Sequence, residues 1–216
     1  MDKKDLAKYI DHTNVRPYAS EKDILKLCDE AIKYGFASAC VASCWVPLAR
    51  EKLSGSGVRV CSVVGFPFGA EIYHTKAFEA KTAVASGADE IDAVINIGYL
   101  KSGRLDYMAS ELSGIVEASG NATVKIIIET CYLTPDEIIQ ASKLVRNSGA
   151  AFVKTSTGYG PSGARLEDVE LIKTEVPGIR IKASGGIRTL EDANKFINAG
   201  ASRIGTSAGP TIVEDL

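Results

Sequence analysis

The stretch TPDEIIQASKLVRNSGAAFVKT, residues 134–155, contains a complete helix and the strand that follows it, and the chain repeats this unit. Its opening tetrapeptide, residues 134–137, has the spacing of a helix capping box with proline at the first helical position. Gly149 follows the amphipathic pattern and is typical of a helix end, after which residues 151–155 have high β-propensity. The unit therefore predicts a helix that turns through glycine into a strand.

Other segments have the same kinds of start and stop. Ser20 opens a helix that ends at Gly35, and Asp23 stands at the third helical position. Thr189 opens a helix that ends at Gly200. Eight strands are predicted between such segments, at residues 9–12, 37–42, 58–65, 90–96, 124–129, 151–155, 179–183 and 202–206.

The strand centres lie about 28 residues apart, close to the roughly 31 residues per unit expected of an eightfold barrel. The strands are near-continuous apolar runs, such as residues 124–128, which is typical of parallel strands covered on both faces. These features predict an α/β fold, an eight-stranded parallel (β/α)8 TIM barrel that forms a single domain over residues 1–216. The alternative, a doubly wound open sheet, is disfavoured because no Gly-x-Gly-x-x-Gly motif follows the first strand.

The composition is that of a globular protein, with 216 residues, 45% hydrophobic and 24% charged. The 25 Lys and Arg residues nearly balance the 27 Asp and Glu residues, for a formal net charge of -2. Nucleic acid and anionic membranes are therefore not expected as partners. Residues 1–6 are charged and lack the features of a signal peptide, and no apolar run approaches the ~18 residues of a membrane span, so we expect a cytoplasmic protein.

The five cysteines are scattered and odd in number, so they predict free thiols rather than disulfides. Cys40 and Cys44 are four residues apart, but no Cys or His cluster supplies the other ligands that a zinc site needs. We therefore expect no metal, and we expect the cysteines to act as small buried apolar residues.

Charged residues interrupt the predicted apolar strands, whose carboxyl ends face the active site of a barrel. They are Asp11, Asp92, Lys125, Lys154 and Lys182. A lysine in an apolar strand with other cations nearby is driven toward its neutral form, and a neutral amine forms a Schiff base with a carbonyl group. The alternative is a structural network in which Asp11, Asp92 and Glu129 neutralise the lysines.

Glycine-rich loops follow the last three predicted strands, at residues 155–160, 184–189 and 205–209. Glycines let backbone N–H groups converge near a helix N-terminus, and barrels often bind phosphate at this position. Beside the lysines these loops predict a phosphorylated substrate, although short loops also need glycine for conformation alone. Residues 65–70 predict either a pocket wall or a tight turn, and His12 is better explained as a structural histidine than as a general base.

Three motifs carry most of the information: FVKTSTG at 152–158, KASGGIRT at 182–189 and EIDAVINIG at 90–98. Together they resemble the deoxyribose-phosphate aldolases. The resemblance covers nearly the whole chain, including the motifs at 11–13 and 63–69. The two lysine motifs are highly specific as a pair, although neither would be specific alone.

The resemblance implies a class I aldolase that reversibly cleaves 2-deoxy-D-ribose 5-phosphate to acetaldehyde and D-glyceraldehyde 3-phosphate, without metal or cofactor. It implies that Lys154 forms the Schiff base, that Lys182 favours its deprotonation, and that Asp92 exchanges protons with Lys182 through water. The substrate-binding residues that it implies are Asp11, Lys125, Thr157, Gly158, Gly185, Gly186, Gly205, Thr206 and Ser207. A homo-oligomer, dimer or tetramer, is the family expectation.

The sequence departs from the family pattern at three places. Residues 41–46 lack an Asn-Pro pair, Tyr159 stands where lysine is common, and the sequence given stops at Leu216 without a longer tail and terminal tyrosine. Two alternative functions remain at this stage. One is a Schiff-base barrel for a different sugar phosphate, such as a transaldolase-like enzyme, and the other is a noncatalytic barrel that only binds a sugar phosphate.

Overall fold

Eight parallel strands close into a barrel in the computed structural model, which describes residues 2–216, and the predicted TIM-barrel fold is confirmed. The strands are β1 (Ile10–Asn14), β2 (Ser38–Val41), β3 (Arg59–Val64), β4 (Glu90–Val94), β5 (Thr123–Ile127), β6 (Phe152–Lys154), β7 (Arg180–Ser184) and β8 (Arg203–Thr206). Each strand pairs in parallel with its chain neighbours, and β8 closes on β1, so the open-sheet alternative is wrong. Met1, in the N-terminal segment considered above, lies outside the described residues.

Helices connect the strands and surround the barrel. Within residues 2–216 they are α1 (Lys3–Ala7), α2 (Glu21–Tyr34), α3 (Val46–Leu53), α4 (Tyr73–Ala85), α5 (Ile97–Lys101), α6 (Leu105–Ala118), α7 (Pro135–Asn147), α8 (Leu166–Glu175), α9 (Leu190–Ala199) and α10 (Gly209–Glu214). Short 3₁₀ turns occupy Ser43–Trp45 and Thr130–Tyr132. In this part of the chain no helix has both the length and the apolar character that a membrane span requires.

The predicted helix boundaries are confirmed by side-chain caps. Ser20 and Thr134 each form a capping box with the third residue of their helix, and Gly35 ends α2 in the left-handed region at φ 68°. Thr189 accepts a hydrogen bond from the N–H of Asp192 and opens α9 directly after a glycine-rich loop. The caps fix where α2, α7 and α9 begin and so limit the length of the loops that precede them.

Alternation along the strands separates an apolar outer layer from a charged barrel interior. On β4, Ile91 and Ala93 belong to the main apolar core, whereas Glu90 and Asp92 contact a lysine inside the barrel. That lysine, Lys125, lies on the inward face of β5. Successive side chains of a strand point to opposite faces, so the buried charged residues of β4 and β5 share the inward face. Branched apolar side chains usually fill such a barrel, whereas an ion network occupies this one.

Strand β1 is longer than predicted, which changes the position of Asp11. The prediction ended the strand at residue 12, but its pairing with β2 continues to Asn14, opposite Val41. The side chains at positions 13 and 14 are partly exposed at this end of the strand. Polar residues are common both at such strand ends and in loops, so the sequence does not distinguish the two. Asp11 is therefore the second residue of a five-residue strand, near its amino end.

Candidate active site

Asp92 lies at the centre of the charged interior and contacts all three strand lysines. Its Oδ2 accepts hydrogen bonds from Lys154 Nζ and Lys182 Nζ, each at 2.8 Å, and its Oδ1 accepts one from Lys125 Nζ at 2.8 Å. The register explains this grouping, because Asp92 is opposite Lys125 and Lys154 is opposite Lys182. The three residues predicted to be catalytic are thus in direct contact.

A second layer of charges lies nearer the amino ends of the strands. Asp11 accepts hydrogen bonds from Lys182 Nζ at 2.5 Å and from Arg203 Nη1 at 2.6 Å. Glu90 Oε2 lies 2.6 Å from Lys125 Nζ, and Arg203 contacts the same carboxylate at 3.3 Å. Sequence reasoning missed Glu90 and Arg203. The available signal for Glu90 was its spacing, two residues before a predicted site residue on the same strand.

Burial and ion pairing have opposite effects on these groups. Burial alone would raise the pKa of Asp92, but the three lysine ammonium groups outweigh it and hold that pKa well below its ordinary value. Burial alone would lower the pKa of Lys182, but Asp11 and Asp92 raise it above its ordinary value. The pKa of Lys125 is raised in the same way, against its burial. The prediction that the strand lysines are driven toward the neutral form is therefore wrong for Lys125 and Lys182, because each contacts at least two carboxylates.

A cavity of about 470 Å³ opens over Lys154. Lys154 lines it, whereas Lys125 and Lys182 are fully buried and do not. Seven of the predicted substrate-binding residues line the same cavity: Thr157, Gly158, Gly185, Gly186, Gly205, Thr206 and Ser207. Asp11 and Lys125 stand apart from that set, since both are fully buried and contact the other charged groups instead of the cavity.

Three loops around this cavity contain backbone amides that have no acceptor within residues 2–216. Gly158, Gly186 and Ser207 line the cavity, and their N–H groups donate to no acceptor within residues 2–216. Gly158 and Gly186 have left-handed backbones, at φ 86° and 83°, which a residue with a side chain would adopt only with strain. Clustered amide N–H groups of this kind bind anions. The geometry therefore suits a phosphate group at the carboxyl ends of β6, β7 and β8.

Three of the cavity residues make structural contacts that sequence did not predict. The N–H and the hydroxyl of Thr157 both donate to Glu129, and the hydroxyl of Thr206 donates to a backbone carbonyl in the loop after β7 at 2.7 Å. A Cβ at Gly205 would lie 2.9 Å from Lys182 Cε, so glycine leaves the space that this lysine occupies. These residues shape the cavity, and neighbouring amides are better placed to contact an anion.

Sequence reasoning missed the loop after β1. Residues 13–18, which are the last two residues of β1 and the loop after it, line the cavity, and the hydroxyl of Tyr159 donates a hydrogen bond to Val15 O at 3.0 Å. Arg16 from this loop and Arg188 from the loop after β7 are exposed cations that line the cavity. Arg188 lay within a quoted glycine-rich motif, which was the available signal for it. No comparable signal marked the loop after β1.

The two ambiguous sequence features have clear structural surroundings. His12 Nε2 lies 2.8 Å from Glu30 Oε2, and its buried ring packs against Phe36 with centroids 5.3 Å apart, in agreement with a structural role. Residues 65–70 contain a tight turn in which the N–H of residue 69 donates to the carbonyl of residue 65 at 2.7 Å. None of residues 65–70 lines the cavity over Lys154.

All five cysteines are free thiols, as predicted, but Cys44 is exposed, which corrects the expectation of burial for that residue. Cys40, Cys61 and Asp92 place potential metal-ligating atoms within 4.8 Å of one another. A divalent cation there would face the three ammonium groups on Asp92, and Lys125 Nζ is already 3.4 Å from Cys61 Sγ. We assign no metal to this group.

Known proteins match this sequence over almost its full length. The family model described as DeoC/LacD family aldolase matches residues 6–214. The chain belongs to the DeoC/LacD aldolase family. A deoxyribose-phosphate aldolase of Methanocella arvoryzae is 59% identical over 215 residues, which cover 99% of this chain and 96% of the relative. The deoxyribose-phosphate aldolase of Clostridium kluyveri is 56% identical over 215 residues, which cover 99% of each chain.

A solved aldolase structure has the same fold as this DeoC/LacD aldolase. The tetrameric deoxyribose phosphate aldolase of Aeropyrum pernix superposes with a TM-score of 0.92 at 35% identity, over 99% of this chain and 92% of the other. None of residues 41–46, where the sequence departs from the family pattern, lines the cavity. Residues 43–45 form a 3₁₀ turn that leads into α3. The departure at Tyr159 lies on the cavity wall, where Arg16 and Arg188 supply the positive charge.

Proposed function

We propose that this chain is a deoxyribose-phosphate aldolase, which reversibly cleaves 2-deoxy-D-ribose 5-phosphate to acetaldehyde and D-glyceraldehyde 3-phosphate through a Schiff base on Lys154. This activity belongs to the breakdown of deoxyribose phosphate. The observation that carries the proposal is the position of Lys154, which lines the cavity with its Nζ 2.8 Å from Asp92 Oδ2. The two deoxyribose-phosphate aldolases that are 56% and 59% identical support the choice of substrate.

The charge balance of the interior supports a nucleophilic role for Lys154. The carboxylates are Asp11, Glu90 and Asp92, and the cations that contact them from within the barrel are Lys125, Lys154, Lys182 and Arg203. These four cations exceed the three carboxylates by one charge, so the loss of one proton from a lysine leaves the set neutral. Arg59, which also contacts Glu90, is mostly exposed and is not counted in the set. Lys154 contacts a single carboxylate, whereas Lys125 and Lys182 each contact at least two, so Lys154 is the lysine of this set that is held by the fewest carboxylates.

The first chemical step is formation of the imine. The neutral amine of Lys154 attacks the C1 aldehyde of the open-chain sugar, and the resulting carbinolamine takes up a proton and loses water to give a protonated imine. Lys182 and Asp92 are placed to move the protons of this step, because the Nζ atoms of Lys154 and Lys182 both contact Asp92 Oδ2. The ammonium group of Lys182 is stabilised further, because its Nζ also donates a hydrogen bond to Asp11.

Carbon–carbon cleavage follows from the imine. The Asp92–Lys182 pair, acting through water, takes up the proton of the C3 hydroxyl, the C2–C3 bond breaks, and its electron pair enters the protonated imine to form an enamine. D-Glyceraldehyde 3-phosphate leaves, C2 of the enamine takes up a proton, and water releases acetaldehyde from the imine. The low pKa of Asp92 keeps its carboxylate ionised at rest, so the proton of this pair is carried by the Lys182 ammonium group that Asp92 holds.

The phosphate of the substrate would bind where the glycine-rich loops meet. The unpaired N–H groups of Gly158, Gly186 and Ser207 suit a phosphate oxygen, and Arg16 and Arg188 add positive charge on the same cavity. Gly185 lies in the same wall. These contacts would hold the phosphorylated end of the sugar at the mouth of the barrel and its aldehyde end toward Lys154.

Reductive trapping tests the proposed covalent step. Incubation with acetaldehyde and borohydride should attach one ethyl group to Lys154 in the intact protein, located by peptide mass spectrometry. Lys154→Ala should remain folded and lose this modification, whereas Lys22→Ala, at an exposed lysine of α2, should retain it. A folded wild-type protein without an ethyl group on Lys154 would contradict the mechanism. Release of acetaldehyde from the substrate distinguishes this activity from that of a transaldolase-like enzyme.

The chain also forms a homo-oligomer in this proposal. The relative from Aeropyrum pernix is described as tetrameric. In the present chain Phe78 and Ile72 expose 71% and 64% of their surfaces, and exposed apolar side chains are typical of protein contact surfaces. Sedimentation velocity at micromolar protein should give the mass of a dimer or tetramer. A monomer at every concentration would contradict this part of the proposal.

A further inference from the structure

Glu129 has an unusual backbone for a residue with a side chain. It follows β5 with φ 53° and ψ 66°, and it is the non-glycine residue with positive φ within residues 2–216. Glycine adopts this region without strain, whereas a glutamate there must be held by its surroundings. Its side chain is almost completely buried, with 2% exposure for the residue. The contacts of the carboxylate therefore explain why this conformation persists.

The carboxylate of Glu129 binds one residue in the loop after β6. Both of its oxygens accept the N–H of Thr157 at 3.2 Å, and Oε2 also accepts the hydroxyl of Thr157. Cys131 Sγ is the next polar contact, at 3.8 Å. No lysine, arginine or histidine within residues 2–216 forms a salt bridge with Glu129. Its hydrogen bonds are thus directed at this loop and not at a neutralising cation.

The contact continues the pairing of β5 and β6 beyond the ends of both strands. The N–H of Ile128 donates to Lys154 O at 3.0 Å, and the N–H of Thr130 donates to Thr155 O at 2.9 Å. Between these two bonds the backbone turns at Glu129, and its side chain, instead of its main chain, reaches Thr157. The segment from Lys154 to Thr157 is therefore fixed at three points along its length.

This contact determines which groups of the loop remain available to a ligand. Thr157 has both of its donors on Glu129, and its Oγ1 accepts the N–H of Tyr159 at 3.0 Å. The N–H of Gly158, between these two residues, is the one that donates to no acceptor within residues 2–216, and Gly158 lines the cavity. Glu129 thus fixes the residue directly before the free amide.

We propose that Glu129 is a positioning residue for the phosphate site: it holds Thr157 so that the Gly158 amide faces the phosphate group. The inference rests on the proposed function for the identity of the natural substrate. Glu129 itself does not line the cavity, and its effect passes through Thr157. A purely structural role would affect every substrate equally, whereas this role affects those that have a phosphate group.

Glu129→Gln tests this role with little change of shape. The amide keeps one acceptor oxygen but loses the second acceptor and the charge, so the loop is held less firmly. By calorimetry, the Kd for inorganic phosphate should rise about tenfold, corresponding to the loss of about one charge-assisted hydrogen bond. The kcat/KM for 2-deoxy-D-ribose 5-phosphate should fall by a similar factor, mainly through KM, while that for unphosphorylated 2-deoxy-D-ribose stays within about twofold.

Glu170→Gln, at an exposed position on α8, is the matched control and should leave both constants unchanged. An unchanged phosphate Kd in Glu129→Gln, or an equal loss for the two sugars, would overturn the proposal. Phosphate binding needs no turnover, so it separates this inference from the proposed function. Wild-type protein that binds phosphate and releases no acetaldehyde would contradict only the latter.

Substitutions at Thr157 test the same contact if Glu129→Gln does not fold. Thr157→Val keeps the shape and the N–H but loses the hydroxyl that donates to Glu129 and accepts from Tyr159. Its Kd for inorganic phosphate should rise about threefold, and Thr157→Ser, which retains the hydroxyl, should restore the wild-type value. Equal phosphate affinities of the valine and serine variants would overturn the proposal.

Discussion

Lys154 and Lys182 are register partners on neighbouring strands, and their ammonium groups donate to the same oxygen of Asp92, each at 2.8 Å. The two lysines differ in what else they contact. Lys182 is fully buried and is held by Asp11 at 2.5 Å, whereas Lys154 opens on the cavity. The two lysines share one carboxylate oxygen, while only Lys154 lines the cavity. In the proposed mechanism this asymmetry separates the nucleophile, Lys154, from the proton donor, Lys182.

Lys182→Met should lower kcat by about 10²-fold or more, because it removes the proton donor on Asp92 Oδ2 and leaves Lys154 as the cation on that oxygen. Steady-state kinetics of the folded variant, with acetaldehyde release as the assay, measures this loss.

Lys125→Met is the matched control, since it removes a lysine from the other oxygen of the same carboxylate. Both variants leave Asp92 with one ammonium contact fewer, and both should lose stability to a similar extent. The loss of kcat should be smaller for Lys125→Met, because Lys125 does not share an oxygen with Lys154. Equal losses of kcat in the two variants would contradict the role given to Lys182.

Asp11→Asn should lower the free energy of unfolding by about 3–5 kcal/mol at pH 7, because it removes one partner of buried ion pairs with Lys182 and Arg203. Burial alone would raise the pKa of Asp11, but Lys182, Lys125 and Arg203 lower it below its ordinary value of 3.8. The ionised carboxylate therefore stabilises the folded chain at any pH above the pKa of the unfolded chain, and this stabilisation is lost as the pH falls through the folded pKa.

The difference in unfolding free energy between wild type and Asp11→Asn should stay constant from pH 7 to about pH 5 and shrink below about pH 3.8. Urea unfolding at several pH values, followed by circular dichroism, measures it. Asp215→Asn, at an exposed position, should change the unfolding free energy by about 0.5 kcal/mol or less throughout. A difference that grows on acidification would contradict the assignment of Asp11 as an ionised buried group.

The sequence was sufficient to predict the barrel and the three central charged residues. The capping box at Thr134 and the glycine at position 149 mark a helix and its end by local chemistry alone. Asp92 and Lys154 were visible because a charged side chain inside an apolar strand has few explanations. Local patterns of this kind depend on residues that are close in the sequence, and the structure preserves them.

Other features of the site depend on height within the barrel, which local sequence does not encode. Lys154 is the last residue of a three-residue strand and meets the cavity, whereas Lys182 is the third residue of five and does not. The two lysines are register partners, so this difference arises from how far each strand continues beyond its lysine. The same limit applies to Asp11, whose strand continues past the predicted end, and to Glu90, whose partners come from distant strands.

Arg188→Gln should raise the KM for 2-deoxy-D-ribose 5-phosphate about tenfold, because the exposed guanidinium lines the cavity beside the Gly186 amide and a charged hydrogen bond to phosphate is worth about 1.5–3 kcal/mol. Ethylation of Lys154 by acetaldehyde and borohydride should be unaffected, since acetaldehyde has no phosphate group. Arg146→Gln, at an exposed position on α7, is the control for loss of an arginine. An unchanged KM would remove Arg188 from the phosphate site.

Gly205→Ala should lower kcat about tenfold or more by displacing Lys182, since the added Cβ would lie 2.9 Å from Lys182 Cε and 2.9 Å from Ser184 Cβ. The lysine has little room to retreat, because Asp11 and Asp92 hold its Nζ at 2.5 and 2.8 Å. Gly205 also lines the cavity, so a phosphate-binding role would instead appear as a raised KM. Kinetics of Gly205→Ala with the phosphorylated and unphosphorylated sugars separates the two roles: an equal loss of kcat for both indicates displacement of the lysine, and a loss confined to the phosphorylated sugar would contradict it.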